Sequence, residues 1–235
     1  MPRRPGASWA SEPGECIILM AKVTDIQILI ARCGPTAWDE GGRLCGGGTD
    51  LPVCPAGHEH LQSIGERLTG STLGVVVCGP DAASHETARV IAAATGARVK
   101  SADDLGEVSL GLWEGLLVGE LEERFPTVYR QWKDDPTGLL VPQGESVDEA
   151  RERLISALAR LLNRTRGVGK GVGVVLRPIS YLIVRSWLRG EGLAESWQNP
   201  SEVPPLEWHC VPKLRIRRDG AETLPGPAGS RAKAS

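Results

Sequence analysis

Three short apolar runs constrain what this chain can become: Ile28 to Ala31 (ILIA), Gly74 to Cys78 (GVVVC) and Gly171 to Leu176 (GVGVVL). Each is apolar throughout rather than alternating, and each closes on a proline-bearing pair: Gly34-Pro35, Gly79-Pro80 and Arg177-Pro178. Runs of this kind are strands buried on both faces, the hallmark of a parallel sheet covered by helices. Helical patterns lie between them. The spacing predicts helices from about Ala56 to Leu68, Ala82 to Thr95, Val118 to Phe125 and Ile179 to Leu188. The clearest starts at Ser146, where SVDE forms a capping box with Glu149, followed by a core stripe of Val147, Ala150, Leu154, Ala157, Leu158 and Leu161. Arg98 to Lys100 reads as a short strand, and Leu206 to His209 with Leu214 to Arg217 as a closing pair. The segment around Trp132, with its prolines, reads as a surface excursion. The expected fold is α/β: a three-layer α/β/α sandwich around a mostly parallel central sheet.

With 235 residues, one substantial core is expected, over residues 23–218. Residues 1–22 read as an extension that is disordered or precedes the true start, since Met20 is a second possible initiation point. Residues 219–235, rich in Gly, Pro, Ala and Ser, are expected to be a disordered tail. A formal net charge of -2 gives no positive field for nucleic acid or an anionic membrane. No apolar stretch approaches the roughly 20 residues of a membrane helix, and the CIILM run behind Pro13 and Glu15 makes no signal peptide. The expectation is a soluble, cytoplasmic protein.

Six cysteines without a CxxC pair read as reduced thiols. Cys45, Cys54, His58 and His60 fit no familiar zinc spacing, so no metal site is expected. A pairing of Cys33 with Cys78, both at carboxyl ends of predicted strands, is the redox or metal alternative; a buried core residue is the simpler reading of Cys78. The glycine-rich Arg166 to Gly173 is no phosphate loop, because Arg164 and Gly171 stand where glycine and a hydroxyl are needed. Nor is Cys33 a phosphatase cysteine of the kind with an arginine six residues on, since position 39 is Asp.

One constellation spans the chain. It comprises Arg32-Cys33-Gly34-x-Thr36-x-Trp38, then Gly42-Arg43 with Gly46, Asp50-x-Pro52, Gly57 and Pro80 with Glu86-Thr87-Ala88. Leu105-x-Glu107-x-x-x-Gly111-x-Trp113-Glu114-Gly115 and Pro142-x-Gly144-Glu145-Ser146 complete it. This resembles the histidine phosphatase superfamily, the phosphoglycerate mutase-like fold, over about residues 25 to 190. In that family the first strand ends in Arg-His-Gly, whose histidine takes the phosphoryl group. Two arginines and a second histidine hold the phosphoryl oxygens, and a glutamate protonates the leaving oxygen.

The resemblance places Arg32 and Glu107 at retained positions, the phosphate-binding arginine and the proton donor. Cys33 stands at the nucleophile position, Ala83 at the second arginine and Arg177 at the second histidine. Losing one charged donor to a transferring group typically costs roughly 10²-fold or more. The resemblance therefore implies a degenerate member, inactive as phosphatase or mutase, whose Arg32 and Arg177 converge on a small phosphorylated or anionic ligand, or which docks an unknown protein. It implies no cofactor. The alternative is a phosphomonoesterase of weak or altered activity with Cys33 as nucleophile, its thiolate favoured by Arg32. Glu107 is read either as a leftover acid or as a partner of Arg177.

Overall fold

The computed structural model describes residues 26–164 and 170–211. The basic stretch with the expected strand Leu214–Arg217, both terminal segments and most of the glycine-rich loop lie outside the described residues.

β1 (Ile26–Arg32) is followed by a single-turn helix, α1 (Ala37–Glu40), and by α2 (Pro55–Arg67). β2 (Leu73–Cys78), α3 (Ala82–Thr95) and β3 (Arg98–Ser101) come next, then α4 (Val118–Arg124), α5 (Pro126–Asp134) and α6 (Val147–Arg164). β4 (Gly171–Leu176), α7 (Pro178–Arg189), α8 (Leu193–Gln198) and β5 (Leu206–Val211) complete the described chain. The five strands form one sheet in the order β3-β2-β4-β1-β5. It is parallel except at β5, which runs antiparallel to β1 with Ile26 opposite Val211 and Ala31 opposite Leu206.

Alternation along each strand divides the core. Leu29, Ala31, Val76, Cys78 and Val175 face α2 and α3, while Ile28, Ile30, Val75, Val77, Val172 and Val174 face the α6 and α7 side. All six residues of β4 are buried, as expected for a central strand with helices on both faces. The capping box of α6 forms, with Ser146 N–H donating to Glu149 Oε2 at 2.9 Å and Glu149 N–H to Ser146 Oγ at 3.2 Å.

The excursion around Trp132 is a correction, because it contains a helix. Pro126 sits in the first turn of α5, where its missing N–H is harmless, so it starts a helix rather than breaking one. The ring of Trp132 packs edge-on against Trp113 at 5.7 Å and against Trp197 at 4.8 Å.

Candidate active site

The carboxyl ends of the parallel strands carry the chemistry-bearing residues, where open α/β sheets place their ligands. Cys33 continues the β1 ladder by one bond, its N–H donating to Leu176 O at 2.8 Å. Arg177 follows β4 directly and is the N-cap residue of α7. Ala83 lies in the first turn of α3, and Glu107 in the loop after β3.

Four of these five positions are closed to solvent. Cys33 is 3% exposed, Ala83 0%, Glu107 6% and Arg177 2%. Arg32 alone is half-buried. Among the described residues its guanidinium has no carboxylate partner.

Glu107 turns out to be a helix cap. Its carboxylate accepts the N–H of Ile179 at 2.8 Å, the N–H of Ser180 at 2.8 Å, the Ser180 hydroxyl at 2.7 Å and its neighbour Val108 N–H at 2.8 Å. A carboxylate on the exposed N–H groups of a helix start is favoured by hydrogen bonding and by the helix dipole. Burial pushes its pKa above the usual range, and the donors from Ser180, Val108 and Ile179, with the nearby Arg177 charge, pull only part of the way back. Its hydrogen-bond partners are thus Ser180 and the backbone, and Arg177 acts on it only as a nearby charge.

Arg177 points elsewhere. Its Nη2 lies 2.7 Å from Cys45 Sγ and 3.7 Å from Asp39 Oδ2. Asp39 is held by Thr36 in a second capping box, with Thr36 Oγ1 donating to Asp39 Oδ2 at 2.6 Å and Thr36 N–H at 2.7 Å. The guanidinium is therefore turned into a small polar cluster of Thr36, Asp39 and Cys45. Sequence reasoning missed this cluster, although Thr36-x-x-Asp39 carries the same capping signature as Ser146-x-x-Glu149.

Cys33 is a poor thiolate. Burial pushes its thiol far above the ordinary cysteine range; Arg177 opposes this, and Asp81, Asp39 and Glu107 reinforce it. The expectation that Arg32 would lower it is corrected by burial, the dominant effect. A disulfide with Cys78 is excluded by topology: β4 lies between β1 and β2, and the register sets Cys78 level with Ala31 rather than Cys33, so the two residues are more than two strand spacings, roughly 10 Å, apart and beyond disulfide reach. The Cys78 thiol instead donates to Lys100 O at 3.6 Å. Among the described residues no three His, Cys, Asp or Glu side chains could hold a metal.

The retained motifs knit the frame around this cluster. Glu114 accepts the N–H groups of Gly48 at 3.0 Å and Leu110 at 3.1 Å, and Thr49 Oγ1 at 3.2 Å. A Cβ at Gly47 would meet the backbone oxygen of Glu107 at 2.6 Å, which accounts for the glycine. At Gly111, with φ of 48°, a Cβ would strike Pro142 O at 2.3 Å. Motifs far apart in sequence thus fit backbone to backbone.

The model of the histidine phosphatase superfamily (branch 1) matches residues 28–219. The chain belongs to this superfamily. It is 30% identical over 182 residues to a bifunctional protein of Mycobacterium tuberculosis, a match covering 74% of this chain and 47% of that one. The chain thus spans about half the length of that relative. Over 172 residues it is 26% identical to phosphoserine phosphatase 1 of Hydrogenobacter thermophilus, covering 73% and 80%. A mycobacterial glucosyl-3-phosphoglycerate phosphatase has the same fold, with a TM-score of 0.67 and 20% identity over 78% of this chain and 88% of that one.

Beside the closed cluster lies a cavity of 550 Å³, within the size range of small-molecule sites. Asp39 and Cys45 reach its wall, as do Tyr129, Trp132, Ile179 and Trp197. Arg43 and Lys133 also line it.

Among the described residues no helix is long and apolar enough to cross a membrane.

Proposed function

We propose that this chain is a histidine phosphatase-fold binding protein that has given up phosphoryl transfer and holds a small anionic ligand with an apolar body. The observation that carries this reading is the inward turn of Arg177 onto Cys45 and Asp39, with Cys33 sealed beneath it as a thiol. Phosphoryl transfer depends on a nucleophile and on donors preorganised around the transferring group. Here the nucleophile position is buried and protonated, the second arginine position is Ala83, and the acid position is saturated with hydrogen-bond donors. The remaining accessible cation of the old site is Arg32. The aromatic-walled cavity that Asp39 and Cys45 border offers the apolar surface, and Lys133 and Arg43 offer positive charge at its wall.

The test is hydrolysis of p-nitrophenyl phosphate and phosphoglycerates by the purified protein against its Cys33→Ser variant. Equal, background-level rates are expected. Turnover that disappears in Cys33→Ser overturns the reading and establishes a cysteine nucleophile.

A further inference from the structure

A second cavity, of 320 Å³, lies along the β3 edge of the sheet on its α6 face and shares no residue with the one beside Cys45. It opens between α6 and the strands β2, β3 and β4, and reaches the starts of β2 and β4 at Gly74 and Gly171. The closed cluster sits at the opposite, carboxyl ends of β1 and β4. Its floor is apolar, made by Val75, Val77 and Val172 of the sheet with Ala157 and Leu161 of α6.

The rim is cationic. Arg98, Lys100, Arg160, Arg164 and Lys170 all line this one cavity, against a single acid, Asp104. Asp104 is already paired with Arg160. The other four have no acidic partner among the described residues. In a chain with 27 basic and 29 acidic residues, this concentration is local rather than a reflection of overall charge.

Lysine and arginine on an edge strand ordinarily protect it from pairing with another chain. That accounts for Arg98 and Lys100 on β3. It does not account for Arg164 at the end of α6 and Lys170 before β4, which come from other elements and converge on the same hollow. Four like charges around an apolar floor repel one another and raise the local potential, a cost that a bound anion removes.

We propose that this cavity is a second ligand site, for a small organic polyphosphate whose apolar ring portion rests on the valine floor while its phosphates meet the cationic rim. Guanidinium forks and ammonium groups are the standard partners of phosphate oxygens, and the valine floor distinguishes an organic ligand from the bare anion.

The probes are ATP and inorganic triphosphate, titrated into the full chain by calorimetry and thermal unfolding at moderate salt. ATP is expected to bind, to raise the unfolding temperature, and to bind more tightly than triphosphate. The Lys100→Glu/Arg164→Glu double variant is expected to bind ATP at least about tenfold more weakly, because two charge-assisted contacts are lost and reversed. Its unfolding temperature without ATP should match the parent, since both side chains are exposed; Arg98→Ala with Lys170→Ala provides an independent pair with the same expected loss. Arg67→Ala and Arg124→Ala, at exposed basic residues that line neither cavity, should leave ATP binding unchanged. The proposal is overturned if the parent does not bind ATP, if both rim variants bind it undiminished, if Arg67→Ala or Arg124→Ala abolishes binding, or if triphosphate binds as tightly as ATP.

Discussion

Arg177 Nη2 lies 2.7 Å from Cys45 Sγ, joining residues 132 positions apart in the chain. Asp39 stands 3.7 Å from the same nitrogen. A buried guanidinium with a thiol and one carboxylate as partners is an asymmetric arrangement, because a thiol is a weak acceptor. Asp39, in contrast, also has Thr36 to bond.

The first prediction follows from that asymmetry. Asp39→Ala removes the counter-charge of a buried arginine together with a helix cap, and is expected to destabilise the protein by about 3–5 kcal/mol. Arg177→Met removes the cation and leaves Asp39 capped by Thr36, so its cost is expected to stay below about 1.5 kcal/mol. Urea unfolding of the two variants checks the order. The reverse order would mean that Arg177 is more than a tolerated substitution.

Glu107 gives the second. Replacing one carboxylate oxygen by an amide NH₂ in Glu107→Gln sets a donor against the N–H of Ile179 at the Oε2 position, or against those of Ser180 and Val108 at the Oε1 position. The expected loss of stability is about 2–4 kcal/mol, the desolvation cost of unsatisfied buried polar groups. Hydrolysis of p-nitrophenyl phosphate should not change. A variant of parental stability with altered hydrolysis would restore Glu107 to the role of proton donor.

Alkaline pH is the third. Burial, with Asp81 adding to it, pushes the Cys78 thiol from 9.0 up to about 11. The folded protein therefore keeps a proton that the unfolded chain releases, and stability present below pH 9 is lost as pH rises through about 11. Cys33 is shifted in the same direction. Denaturation midpoints should accordingly fall between pH 9 and 11, more shallowly in Cys78→Ala than in the parent. A midpoint that rises across this range would contradict the burial argument.

Much of the scaffold was legible because its punctuation is local. α3 occupies Ala82–Thr95, as the helical spacing predicts, with Gly96 in the left-handed conformation at its end. β4 runs from Gly171 to Leu176 as its apolar run predicts. α5 was not legible, since Val128, Tyr129 and Trp132 form its only apolar face and prolines bracket it. Which charges meet in the site was not legible either. Arg177, Asp39 and Cys45 are brought together by the sheet order and by two loops, and no local pattern encodes that meeting. Glu107 could be placed at its position by resemblance, but its donors come from the start of α7, and a helix start needs an acceptor whether or not any catalysis survives.

The last prediction concerns restoring the site. Ala83 is fully buried against the α2 and α3 side of the core. Ala83→Arg alone forces a guanidinium into packed space and is expected to destabilise the protein by about 2–4 kcal/mol, through overpacking and an uncompensated charge. Adding Arg177→His removes the guanidinium that now faces Cys45 and Asp39. If the new guanidinium reaches that same cluster, the two substitutions cost less together than the sum of their separate effects, and strict additivity would place them in separate environments. With Cys33→His as well, an imidazole replaces the buried thiol beside Arg32, and p-nitrophenyl phosphate hydrolysis above the parental background is expected. A triple variant that folds cooperatively yet stays silent would show that the pocket has changed beyond these three positions, and the Glu107 carboxyl, held by Ile179, Ser180 and Val108, is the first further group to test.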